Sequence, residues 1–142
     1  MEFEIYNSSK VKINKKKLQR DLLKISELLK VKDALIRIFF VNQEEIRKIN
    51  KKFRNKNKST TVISLKYQDF KVNGKNLLGE IYLSIKDIKN QNPFSQKTKL
   101  TDKINYYLIH GLLHLTGYDH STIKNSKIME NKEAKILEVL NK

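Results

Sequence analysis

The stretch Lys103–Leu115 narrows most sharply what this chain can fold into. Ile104, Tyr107, Leu108, Ile109, Leu112, Leu113 and Leu115 make a helix over these residues apolar almost all round. A helix without a polar face is buried, so other elements must wrap it. The 142 residues amount to one domain's length, and residues 1–142 are expected to form a single domain.

The surrounding pattern supplies those elements. Phe3–Tyr6 reads as a short strand. Leu18, Leu22, Ile25 and Leu29 recur at helical spacing after a candidate N-cap, Asn14, predicting a helix over 15–30. Ala34–Val41 has the β-branched and aromatic content of a buried strand. Asn42 then reads as an N-cap, with Glu44 and Glu45 in the first turn, of a helix running to about Phe53. Thr60–Tyr67 and Leu78–Ser84 read as antiparallel strands around a hairpin turn at Asn73-Gly74, where both central residues need positive φ. Ser84 or Asp87 starts a short helix that ends before Pro93. Thr101-Asp102 is expected to cap the central helix, and Gly117 to end it. A last helix spans Ile123–Leu140, with Ile128, Met129, Ile136, Leu137 and Leu140 inward. Strands and helices mixed in this way predict an α+β fold with about five helices.

Composition removes several classes. There is no cysteine, hence no disulfide, thiolate metal site or cysteine nucleophile. No apolar run reaches the roughly 18–20 residues of a membrane span, and Ala34–Val41 carries Arg37 in its middle. Acidic residues at Glu2 and Glu4 do not suit a signal peptide. A cytoplasmic protein without a membrane partner is expected. Lys+Arg outnumber Asp+Glu 30 to 15, giving a net charge of +15 that draws polyanions. An AT-rich coding sequence also enriches Lys, Asn and Ile, so the distribution says more than the total. Arg47, Lys48, Lys51, Lys52, Arg54, Lys56 and Lys58 have no acid among them, which favours an anion-facing loop.

The chain's three histidines, His110, His114 and His120, all fall within eleven residues. Positions 110 and 114 lie one turn apart on one helix face, and Gly117 lets the chain reverse so that His120 returns to the same point. Three neutral imidazoles at one point suit Zn²⁺ with a fourth position left for water. Two imidazoles on a buried helix otherwise leave polar nitrogens to satisfy. The same His spacing occurs in metzincin zinc peptidases, where Glu follows the first histidine as general base. Gly111 stands there and cannot transfer a proton. Asp119 is then the nearest candidate base or electrostatic helper; equally, it reads as a turn residue or a partner to a histidine.

His110-Gly111-Leu112-Leu113-His114-Leu115-Thr116-Gly117-Tyr118-Asp119-His120 resembles the signature of the YbeY family of bacterial endoribonucleases and rRNA maturation factors. Ile49-Asn50-Lys51-Lys52-Phe53-Arg54 and Leu78-Gly79-Glu80-Ile81 resemble two further family motifs, in the expected order. The chain departs from the family at Ser59, Thr61, Leu65 and Glu80, where Pro, Asp or Asn, Phe and Asp are usual. The resemblance implies a four-stranded mixed sheet with helices around it. It implies a single-strand-specific endoribonuclease acting on rRNA, notably at the small-subunit 3′ end, and in ribosome quality control. It implies zinc, one per chain, on His110, His114 and His120, with Arg54 as a functional arginine. The expected catalytic set is Arg54, His114 and Asp119; the expected partners are single-stranded RNA and the small ribosomal subunit with its proteins. The competing readings are a non-catalytic RNA-binding assembly factor with a structural zinc and, further off, a zinc peptidase.

Overall fold

A computed structural model of the chain describes residues 1–91 and 97–141. Its elements are β1 (Glu2–Asn7), α1 (Lys15–Leu29), β2 (Ala34–Val41), α2 (Gln43–Arg54), β3 (Val62–Lys66), β4 (Lys71–Val72), β5 (Lys75–Ser84), α3 (Ile85–Lys89), α4 (Leu100–Leu115) and α5 (Ile123–Leu140). Four main strands lie in the order β1-β2-β5-β3. The β1–β2 and β2–β5 pairs are parallel, and β3 runs antiparallel to β5. The two-residue β4 also pairs with β5, a fifth strand beyond the four expected. Asn73 and Gly74 have φ of 50° and 80°, the positive pair that a tight turn between β4 and β5 requires. Pro93, expected to limit α3, lies outside the described residues.

Strand alternation divides the side chains between two cores. Ile36, Ile38 and Phe40 of β2, with Ile81 and Leu83 of β5, point to one face. There α1 contributes Leu18, Leu22 and Ile25, α4 contributes Leu108, Ile109, Leu112, Leu113 and Leu115, and α5 contributes Met129 and Ile136. On the other face Val41 and Ile63 pack with Ile46 of α2. Next to that smaller core, Arg37 lies level with Glu4 and Glu80 on the flanking strands. Its Nε donates to Glu4 Oε1 at 2.8 Å, and Glu80 accepts from the Tyr82 hydroxyl at 3.2 Å. These partners explain a charged residue inside a strand.

Local chemistry sets most boundaries. The Asn14 side chain accepts from Lys17 N, and Asn42 and Glu45 form a reciprocal capping box. Two expectations need correction. α4 starts at Leu100, one residue after Lys99, which makes no side-chain cap bond. Thr101 and Asp102 therefore fall inside the first turn, where Asp102 suits the helix dipole rather than capping it. Ile128, expected inward, is 47% exposed, because the buried stripe of α5 runs through Met129, Glu133 and Ile136.

Two glycines let α4 approach the sheet. A Cβ at Gly79 would meet Leu65 O at 2.2 Å and Leu115 Cδ2 at 2.6 Å. A Cβ at Gly111 would meet Ser64 Oγ at 2.9 Å and Ile81 Cδ1 at 3.2 Å. Gly79→Ala therefore pushes against backbone, and we expect it to lower unfolding free energy by about 2–3 kcal/mol. Urea unfolding measures this; a loss below about 0.5 kcal/mol, the size of a neutral surface change, contradicts the close approach.

Candidate metal centre

α4 delivers His110 and His114 from its last two turns, with Leu108, Ile109, Leu112 and Leu113 beside them buried in the main core. The chain then reverses. Tyr118 N–H donates to Leu113 O at 2.9 Å, and Gly117 adopts φ 107°, which a side chain would resist. Asp119 organises the following turn: its Oδ1 accepts from Ser121 N, Ser121 Oγ and Asn125 Nδ2. Those bonds hold its carboxyl below the usual aspartate range. Thr122 caps α5 by accepting from Asn125 N. The turn thus carries His120 back over the end of α4.

The three imidazoles converge. Nε2 of His114 lies 3.0 Å from Nε2 of His110, and Nε2 of His120 lies 3.4 Å from the same atom. The candidate ligand atoms all fall within 4.8 Å of one another. Tetrahedral ligands at the usual Zn–N length of about 2.0–2.1 Å are spaced about 3.3–3.4 Å apart, close to the two distances found.

The outer ring nitrogens decide how the inner ones are used. His114 Nδ1 lies 3.1 Å from Tyr118 O, and a carbonyl can only accept, so Nδ1 carries the proton. His110 Nδ1 lies 2.7 Å from Glu133 Oε1, and donates to that carboxylate. In the neutral rings both Nε2 atoms then present lone pairs to each other. Two lone pairs at 3.0 Å repel unless a cation lies between them. Burial, reinforced by His110 and His120, pushes His114 below the ordinary histidine value, which keeps it neutral and available as a ligand at pH 7. The donor set therefore fits a divalent metal ion of the zinc type.

His110 and His114 open into a groove of about 660 Å³, also lined by Arg54, Thr61, Val62, Ser64, Tyr106 and Tyr107. Arg54, the last residue of α2, is exposed, and its guanidinium makes no hydrogen bond or ion pair among the described residues. The fold thus brings Arg54 and the histidines to one groove from helices 56 positions apart in sequence, counting from Arg54 to His110. His120 sits at the exposed rim, and Asp119 lines a separate depression with Gly117 and Asn125. The basic stretch is less uniform than its sequence suggests. Arg47 is tied to Glu44 and Asn57, and Lys52 lies over the Phe53 ring at 5.2 Å. Lys48, Lys51, Lys56 and Lys58 are exposed.

Two residues that sequence reasoning missed support the site. Asn50, 1% exposed, donates to Lys58 O at 2.9 Å and so ties the basic loop to α2. Glu133 reaches His110 from α5. Each is a polar residue in register with an apolar stripe, after Ile46 and Met129 respectively, and that misfit was the available signal. Gly111 faces Ser64 and Ile81 rather than the imidazoles, so the position that holds the peptidase glutamate points into the sheet here.

The comparisons with known proteins agree with this geometry. The family model described as Endoribonuclease YbeY matches residues 4–141. A protein of Buchnera aphidicola named Endoribonuclease YbeY is 44% identical over 107 residues, which is 75% of this chain and 67% of that protein. One of the same name from Francisella tularensis subsp. novicida is 35% identical over 113 residues, covering 75% and 68%. The solution structure of a Thermotoga maritima protein superimposes with a TM-score of 0.65 at 29% identity, over 97% of this chain and 88% of the other. With nearly all of its length matched, its three histidines clustered and two of them sharing a groove with Arg54, the chain belongs to the YbeY endoribonuclease family.

Proposed function

We propose that the chain is a metal-dependent endoribonuclease that hydrolyses phosphodiester bonds of single-stranded RNA. Its work is rRNA processing in the cytoplasm, at the small-subunit 3′ end and in ribosome quality control, with the small subunit and its proteins as partners. The observation that carries the reading is the meeting of inward-facing imidazole lone pairs with an uncommitted arginine in one groove. Family membership supports the RNA substrate.

His110, His114 and His120 would hold the ion, which we take to be zinc, one per chain. Bound there, it would supply Lewis acidity toward a phosphoryl oxygen and toward water. The protein's own residues do the rest. The Tyr118 carbonyl and the Glu133 carboxylate fix the two ring tautomers, so both rings keep lone pairs toward the groove. The planar fork of Arg54 binds paired phosphate oxygens and holds the backbone at the histidines. Lys48, Lys51, Lys56 and Lys58 gather the strand without reading bases. Asp119 acts through the turn it builds, holding His120 at the rim as a positioning residue.

Three protein ligands favour hydrolysis over a structural role, since structural zinc sites are closed by four. His114→Ala is expected to lose the ion and RNA cleavage together, read by elemental analysis of untagged protein and by a single-stranded RNA cleavage assay. Cleavage at the wild-type rate in that variant sinks the proposal. Metal-loaded wild type that binds RNA and leaves it whole points instead to an RNA-binding assembly factor. Arg54→Ala is expected to keep its ion and to lower the cleavage rate by about 100-fold, the cost of deleting one donor to a developing charge. Arg54→Lys restores charge without the fork, so recovery should be partial; full recovery would show that charge alone suffices.

A further inference from the structure

Glu133 is a carboxylate that the folding core alone does not explain. It is 6% exposed and sits in the buried stripe of α5, one turn from Met129 and from Ile136. Among the described residues no lysine or arginine pairs with it; its partner is His110 Nδ1 at 2.7 Å. A carboxylate taken out of water without a compensating cation weakens a fold, and an apolar side chain of similar size at the same place strengthens it. The compensating charge has one natural position here. The imidazole of His110 passes from Glu133 on its Nδ1 side to the cluster of Nε2 atoms on the other.

We propose that Glu133 is a positioning residue that couples the seating of α5 to the capture of a divalent cation by the three histidines. The proposal rests on the metal reading of the site and extends it to an element that contributes no ligand. Carboxylate, imidazole and cation form a line of alternating charge. The carboxylate holds the Nδ1–H tautomer and makes Nε2 a stronger donor. In return the cation offsets the buried negative charge. α5 also places the Asn125 side chain that bonds Asp119 in the turn carrying His120. Metal loading therefore draws the last helix onto the body of the protein at two points.

The coupling makes opposite predictions for the metal-free and metal-loaded forms. A residue that merely packs would move both the same way. The test uses the full chain, stripped by chelator, with zinc titrated against a competing chelator and thermal unfolding recorded with and without zinc. Glu133→Leu is expected to weaken zinc binding by about 10–100-fold, the usual effect of losing such a partner. Metal-free Glu133→Leu is expected to unfold at the same temperature as metal-free wild type or higher, with a smaller rise on adding zinc. Glu133→Gln keeps an acceptor for Nδ1–H but not the charge, so its affinity should fall between the two. Nitrogen NMR of His110 should show the Nδ1–H tautomer in wild type and in Glu133→Gln, and its loss in Glu133→Leu. Zinc affinity within about twofold of wild type in both variants overturns the coupling. So does metal-free Glu133→Leu that is destabilised in step with its lost affinity. If Glu133→Leu does not fold, Glu133→Gln and the tautomer measurement decide. Wild type that holds no divalent ion defeats the metal reading itself, whereas unaltered binding in the variants defeats only the coupling.

Discussion

The close seating of α4 on the sheet is the constraint from which the site follows. Gly79 in β5 and Gly111 in α4 leave no room for a Cβ, so strand and helix backbones approach until Leu115 and Ile81 fill the space between them. With α4 packed on the sheet and against α3 and α5, the two histidines at its C-terminal end face one groove. That groove lies between the sheet edge formed by β3 and the end of α2, which places Arg54 on its rim. Rigid packing thus does what a loop could not: it fixes two ring nitrogens at a spacing suited to a small cation.

The polar groups around the opening divide into those that face it and those that hold the facing groups in place. Arg54 and the imidazole Nε2 atoms face it. The Tyr118 carbonyl and Glu133 hold the two rings, Asp119 holds the turn that carries His120, and Asn50 ties the basic loop to α2. Asp87 completes the frame by accepting from Gln43, Ser59 and Ser84, which ties the N-terminus of α2, the end of the basic loop and the end of β5 together. Ser59, one of the departures from the family pattern, therefore has a structural task. Glu80, another, faces Arg37 and Tyr82 on the opposite side of the sheet from α4. Among these departures Thr61 lines the groove.

What could be read from the sequence was local chemistry. The Asn73-Gly74 turn, the Asn14 and Asn42 caps and the extent of β2 and α5 depend on residues within a few positions of one another. The expected cap at Thr101-Asp102 failed because a helix start can be set by backbone and packing without a side-chain bond. Ile128 was misplaced because its neighbour Met129 took the core position, and a helix with apolar residues at adjacent positions does not say which one turns inward. The seven cations of the 47–58 stretch looked equivalent on paper, but Glu44 lies one turn before Arg47 and removes it from the free set.

By itself the sequence determined that a helix apolar on nearly every side would be buried, and that its histidines, one turn apart and followed by a glycine, could share a point. Those properties follow from side-chain polarity and helical pitch, which act over a handful of residues. Only the tertiary structure decided which atoms would meet there. The strand order, the arrival of Arg54 from 56 positions earlier and the reach of Glu133 from 23 positions later depend on how separate elements pack, and no short-range rule carries that information. For His110, choosing Nε2 rather than Nδ1 as the inward atom rests on the same long-range contact with Glu133, because a ring turns its lone pair away from whatever accepts its proton. For His114 the acceptor, the Tyr118 carbonyl, lies only four residues on, but the chain reversal that aims it depends on the seating of α4 and the following turn.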